Sequence, residues 1–275
     1  MCASTALLRR NLFLLLPGLI AVVLAHVPNI GNAQSRGKLE IIVPAYSYPG
    51  TTDPYWPAMT QAAAKVPLTA IVNPGSGPGQ YQDANYVTAV NKLRRAGART
   101  IGYVHTSYSS RPVNVVKAEI DRYLSFYALD GFFIDEMSNQ ADSRALLYYR
   151  DIYSYIKGLN PNFLVIGNPG TNTNPAFLSE PTIDTAVIFE SPKSVYDRYK
   201  MAEWVADYGA GRFAHLVYAA KNKKQMRKTV RTAVSRNARF VYVTNDNLNN
   251  PWDTLPPYWN AQVNCVARVN ARRNC

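Results

Sequence analysis

Apolar, β-branched runs recur along the chain, and amphipathic segments separate them. The runs are LEIIVPAY (39–46), LTAIVN (68–73), RTIGYVH (99–105), GFFID (131–135), FLVIGN (163–168), TAVIFE (185–190), AHLVYA (214–219) and RFVYVTN (239–245). Each is nearly continuous in hydrophobicity, as expected of parallel strands buried on both faces. Between them, Tyr86, Val90, Leu93 and Gly97 share one helical face, as do Val116, Ile120, Tyr123, Leu124 and Tyr127. Leu146, Tyr149, Ile152, Tyr153 and Ile156 make a third stripe. Ser194 to Asp197 reads as a capping box opening the helix after the sixth strand, and Pro112 suits a first helical turn. The link PGTNTNPAFLSEP after the fifth strand predicts at most a short helix. Eight strand–helix alternations in about 240 residues predict an α/β fold, a (β/α)8 TIM barrel in a single domain. A doubly wound open sheet is the alternative, weakened because no Gly-rich dinucleotide turn follows the first strand.

The N-terminus departs from this pattern. Arg9 and Arg10 precede an apolar run from Leu12 to Leu24, too short to span a bilayer comfortably, and Gly31-Asn32-Ala33 supplies small residues before a cut. Residues 1–33 are therefore expected to be a secretory signal peptide, with an uncleaved anchor as the alternative, leaving a barrel domain at 34–275. A secreted or periplasmic protein with no membrane contact after cleavage follows. The cysteines agree: beyond Cys2 the chain holds only Cys265 and Cys275, which could close a small terminal loop in an oxidising compartment. The formal charge is +12, or +10 without Arg9 and Arg10. Much of it lies late, in Lys221, Lys223, Lys224, Arg227, Lys228, Arg231, Arg236 and Arg239. That cluster fits attraction to acidic polymers or a solvated helix face, and its placement on one predicted helix favours the second. No nucleic-acid motif accompanies it, and no sequence signal bears on oligomeric state.

In such a barrel the chemistry sits at the C-terminal ends of the strands. Those ends carry Tyr46 and Tyr48, Asn73, His105 and Tyr108, Asp135 and Glu136, Asn168, Glu190, Tyr218, and Asn245 with Asp246. Polar residues thus gather at one mouth. Asp135, Glu136 and Glu190 each follow directly on an apolar strand, where a carboxylate is costly unless paired, protonated or used. Strand alternation puts Asp135 on the face of Phe133 and Glu136 on the opposite one, so Asp135 is expected to face the axis, while the turn at the strand's end lets Glu136 reach the cleft too. Paired carboxylates across a cleft suit glycoside hydrolysis, one protonating the leaving oxygen and the other attacking carbon or activating water. Tyr46, Tyr48, Tyr103, Tyr108 and Trp252 could pack against sugar rings. A buried salt bridge or helix caps would also account for the carboxylates, and His105 could be a hydrogen-bonded structural residue. The Asn-Pro-Gly triplets at 73–75 and 168–170 read as turns, which could also shape opposite walls of one cleft.

The motifs PAYSYPG, VNPGSGPG, IGYVHTSYSSR, DGFFIDE, GNPGT and IFE occur in this order. Through them the chain resembles the spherulin-4-like proteins, which include glycoside hydrolase family 135, over roughly residues 39–250. The resemblance implies a (β/α)8 barrel and a secreted endo-α-1,4 hydrolase acting on a galactosaminogalactan-type polysaccharide rich in N-acetylgalactosamine. It places the catalytic carboxylates at Asp135, Glu136 and Glu190. Tyr46, Tyr48, Asn73, His105, Tyr108, Asn168, Tyr218 and Asn245 are the expected substrate contacts, with no metal and no organic cofactor. A non-catalytic secreted or cell-surface polysaccharide-binding protein on the same barrel is the alternative.

Overall fold

The computed structural model describes Met1 and residues 37–275. The expected signal peptide, apart from Met1, lies outside the described residues. The strands are β1 (Glu40–Ala45), β2 (Leu68–Val72), β3 (Arg99–His105), β4 (Gly131–Asp135), β5 (Leu164–Gly167), β6 (Thr185–Pro192), β7 (Phe213–Tyr218) and β8 (Phe240–Val243). Alternating with them are α1 (Tyr55–Ala63), α2 (Ala84–Arg95), α3 (Val113–Phe126), α4 (Ser143–Leu159), α5 (Ala176–Ser179), α6 (Lys193–Tyr196), α7 (Lys223–Ser235) and α8 (Trp259–Asn270). Two 3-10 turns, Glu203–Asp207 and Ala210–Arg212, lead from α6 to β7. The strands pair in parallel in chain order, and β8 returns to β1, closing the barrel. Closure excludes the doubly wound sheet and confirms the predicted (β/α)8 barrel.

Every strand is buried over most of its length because helices cover its outer side and side chains fill the axis. Helix starts follow local chemistry. Asp83, Asp142 and Asn222 cap α2, α4 and α7, accepting from Asn85 N at 2.8 Å, Ala145 N at 2.8 Å and Gln225 N at 3.0 Å. The Ser194–Asp197 capping box does not form. Asp197 instead accepts from Lys193 Nζ at 2.6 Å, and α6 opens after Pro192. Pro112 stands at the cap of α3 rather than within its first turn. The link after β5 holds only the short α5, as its weak periodicity implies. Cys265 and Cys275 are joined, tying the tail to α8.

The DGFFIDE motif divides between two ends of β4. At the lower end Asp130 accepts from Arg94 Nη2 at 2.7 Å and from Thr100 N at 2.9 Å, locking β3 to β4. Gly131 has φ +152°, and a Cβ there would stand 2.0 Å from the Leu164 carbonyl oxygen, so only glycine lets β5 approach. Phe132 and Phe133 pack on opposite faces of the strand. The acids end it at the upper mouth.

Candidate active site

Asp135 closes β4 in register with His105 of β3, and Phe133 with Tyr103. Paired residues of neighbouring parallel strands share a face, so all four point to the barrel axis. Tyr103 donates its hydroxyl to Asp135 Oδ2 at 2.7 Å, and Asn168 donates Nδ2–H to Asp135 Oδ1 at 2.7 Å. At Glu136 the chain leaves the strand with φ +49°, a left-handed conformation rare for a non-glycine residue. Its carbonyl is held by Tyr108 N at 2.7 Å and Thr106 Oγ1 at 2.9 Å. This turn answers the alternation problem: Glu136 would face the outer helices in a continued strand, but the left-handed turn brings it into the same cavity as Asp135. Its Oε2 lies 3.4 Å from His105 Nδ1.

Glu190 reaches the axis by a different device. Val187 pairs with Ala214 and Glu190 with Leu216, three steps on β6 against two on β7, so one residue between Val187 and Phe189 is extra. That bulge reverses the alternation, and Glu190 falls on the inward face with Leu216 and Tyr218. Phe189 is turned outward onto Tyr196, Tyr199 and His215. His215 is fully buried there, bonded through Nδ1 to Tyr196 at 2.8 Å, and burial pushes its pKa down to about 3. The imidazole is therefore neutral packing rather than a proton donor. Arg236 covers Tyr196 and Tyr199 and donates to both of their carbonyls at 2.7 Å, clamping the outer side of the strand.

Asn168 joins the two acids. Its single Nδ2 lies 2.7 Å from Asp135 Oδ1 and 2.6 Å from Glu190 Oε2. The opposite amide orientation would press an oxygen against two carboxyl groups, so the network sets the assignment. Burial first, and the neighbouring Asp135 charge second, push the Glu190 carboxyl up to about 7. Hydrogen bonding from Asn168 and Trp252 offsets part of that rise. Burial also raises Asp135, but hydrogen bonds from Tyr103, Asn168 and the Glu136 backbone oppose it. Burial thus raises the proton affinity of both acids in one pocket, to about 7 at Glu190, while the donors on Asp135 favour its anion, an arrangement that suits an acid paired with an anion.

The acids line a cavity of about 450 Å³ with Asn168-Pro169-Gly170, Tyr108, Tyr218 and the loop Leu248–Trp252. Among the expected substrate contacts, Tyr108, Asn168 and Tyr218 lie in this lining. Tyr46 lies just beneath, edge-on to Tyr103, and His105 stands behind Glu136. Three others are placed elsewhere. Tyr48 turns outward, donating to Asp83 at 3.0 Å and accepting from Asn85 at 2.8 Å. Asn73 accepts from Gly77 N at 3.0 Å and shapes its own turn. Asn245 is exposed beyond the end of β8, which stops at Val243. Of the two Asn-Pro-Gly turns only the second borders the cavity. Tyr103 is no sugar platform, being 8% exposed and bonded to Asp135. The β8–α8 loop with Trp252 forms a wall that strand-end logic undervalues, because the loop folds back over the mouth from five to nine residues beyond the strand. Among the described residues no three of His, Cys, Asp or Glu gather to hold a metal ion.

Known proteins share both sequence and architecture with this chain. Spherulin-4 of Physarum polycephalum is 34% identical over 252 residues, covering 87% of this chain and 73% of that protein. The crystal structure of Aspergillus clavatus Sph3 in complex with GalNAc superposes with a TM-score of 0.75 at 26% identity, covering 84% of this chain and 98% of that one. The α-L-fucosidase isoenzyme 2 from Paenibacillus thiaminolyticus shares the fold, with a TM-score of 0.55 at 9% identity over 85% of this chain and 49% of that one. The closed (β/α)8 barrel is thus common to this chain and both solved structures. The model of spherulation-specific family 4 matches residues 40–266, nearly all of the barrel, and with the 34% identity this shows that the chain belongs to that family.

Proposed function

We propose that this chain is a secreted glycoside hydrolase that cuts a polysaccharide containing N-acetylgalactosamine internally, at α-1,4 linkages. The observation that carries the reading is the single Asn168 amide nitrogen bonded to both Asp135 and Glu190 at the floor of an open cavity. The two oxygens it touches lie no further apart than those two bonds laid end to end. That upper limit lies below the roughly 6.5–9.5 Å that an inverting pair needs for its water, and so favours a retaining pair, whose carboxyls stand roughly 5–5.5 Å apart. With its carboxyl raised to about 7, Glu190 keeps a proton to give to the leaving oxygen. Asp135, held by three donors, serves as nucleophile or stabilises the oxocarbenium-like charge. Glu190 then takes a proton from the water that releases the product. Glu136 faces the same cavity and is placed to hold a sugar hydroxyl or an acetamido N–H. The similarity to Sph3, whose structure holds GalNAc, supports the choice of sugar. The basic n-region, apolar run and small-residue cut site support secretion.

Incubating the purified protein with an N-acetylgalactosamine-rich polysaccharide should release oligosaccharides of intermediate length. Asp135→Asn and Glu190→Gln should each lower turnover by several orders of magnitude while circular dichroism stays unchanged. Wild-type turnover in either variant would overturn the assignment. Binding without release by the wild type would point to the non-catalytic carbohydrate-binding alternative.

A further inference from the structure

The charge of this protein is spread unevenly. Residues 37–220 carry sixteen Lys and Arg against sixteen Asp and Glu, whereas residues 221–275 carry eleven against two. All of the net positive charge of the described barrel therefore arises from its last segment, where α7 and α8 pack side by side. Helix α7 exposes Lys223, Lys224, Arg227, Lys228 and Arg231 and contains no carboxylate. Helix α8 and the tail add Arg268, Arg272 and Arg273, all exposed. Of these eight, only Lys228 has a carboxylate partner among the described residues, Asp197 at 3.0 Å. Among residues 37–220 seven of the sixteen cations are paired with a carboxylate, as in Arg94–Asp130, Arg111–Glu119, Lys117–Asp151 and Lys157–Asp184, and the remaining ones are balanced by an equal number of acids. Arg227 and Arg268 also flank a notch of about 390 Å³ with Asn264, beside the disulfide.

Like charges at helical spacing repel, so such a face is stabilised when a polyanion covers it. The candidate active site has the opposite character. Its lining holds three carboxylates and no Lys or Arg. The two surfaces suit different molecules, and a polyanion drawn to the wall is disfavoured in the cleft. Among the described residues no large apolar side chain is exposed on α7 or α8, so nothing there would anchor in a bilayer. Nor, among the described residues, do α7 and α8 expose an aromatic as a stacking surface for nucleic-acid bases. We infer that the α7–α8 face binds a linear acidic polysaccharide, one bearing carboxylate or sulfate groups, as a site separate from the cleft. It would hold the protein on an acidic matrix while the cleft engages a neutral polymer.

The test reads binding and does not depend on turnover. Immobilised polygalacturonate should retain the full chain, with affinity falling steeply as salt is raised from about 50 to about 200 mM. Lys224→Gln, Arg227→Gln and Arg231→Gln combined should weaken binding about tenfold or more and flatten the salt dependence. The control Arg95→Gln, Arg122→Gln and Arg144→Gln removes the same charge from other exposed positions and should weaken it less than about twofold. Oligosaccharide release from a neutral hexosamine polymer should match wild type in both triple variants. Equal weakening in the two variants would reduce the effect to overall charge and overturn the proposal. So would absence of retention, or tighter binding to phosphatidylserine vesicles or duplex DNA than to polygalacturonate.

Discussion

Asn168 uses both of its amide hydrogens on acids that would otherwise repel each other, and this makes it the positioning residue of the pair. Asn168→Ala should lower turnover about a hundredfold, because a misplacement of an ångström is worth that much. The loss should appear in kcat more than in KM, since the side chain acts on the two acids at the floor of the cavity. The raised Glu190 carboxyl sets the pH response. As the pH climbs past about 7 the proton donor is lost, and kcat/KM should drop about tenfold per pH unit. Stability responds with a definite sign. Between pH 4.5, the ordinary value, and about 7, the folded state binds a proton that the unfolded chain has released, so stability falls as pH rises. Glu190→Gln removes that penalty. Denaturant titrations should show the variant gaining roughly 2–3 kcal/mol over wild type at pH 8 and little at pH 4. A gain equal at both pH values would contradict the raised carboxyl.

At the scale of elements, β4 and β6 solve one problem in two ways. A regular strand sends consecutive residues to opposite faces, yet Asp135, Glu136 and Glu190 all reach one cavity. On β4 the left-handed turn at Glu136 supplies the extra rotation. On β6 the bulge between Val187 and Phe189 shifts the alternation by one. Inserting one alanine between Phe189 and Glu190 should put the alanine opposite Leu216 and swing Glu190 outward, opposite Val217. Turnover should vanish while far-UV circular dichroism still reports a folded barrel, and an insertion variant that kept its activity would rule out strand alternation as the aiming device. These devices explain what the residue pattern revealed and what it concealed. The run TAVIFE marks β6 and its terminal acid but contains nothing that distinguishes a bulged strand from a straight one. GFFIDE likewise shows two acids where a strand ends and the chain turns, but not that the turn is left-handed at Glu136.

At the scale of the whole molecule, the barrel gathers the polar strand ends at one mouth and leaves the cationic helices on its wall. The tail is fastened by Cys265–Cys275, ten residues apart in sequence. A loop of that size constrains the unfolded chain by about 2.7 kcal/mol in the loop-entropy model. Replacing both cysteines with serine should therefore cost up to about 2–3 kcal/mol in urea unfolding. Turnover should be unchanged, because the bridge lies against α8 and outside the lining of the cleft. A loss of turnover at full folding would link the tail to the site.

The amino-acid sequence by itself determined the order of strands and helices, the closed parallel architecture and the position of each acid at a strand end. Those properties follow from burial, and burial is written along the chain as hydrophobic periodicity. The tertiary structure alone decided which side chains meet. It brought Asn168 between Asp135 and Glu190, folded the Trp252 loop over the mouth, and carried Tyr48, Asn73 and Asn245 away from it. Such meetings depend on register between strands and on the course of loops. Both are set by contacts among residues distant in sequence, which no local pattern encodes.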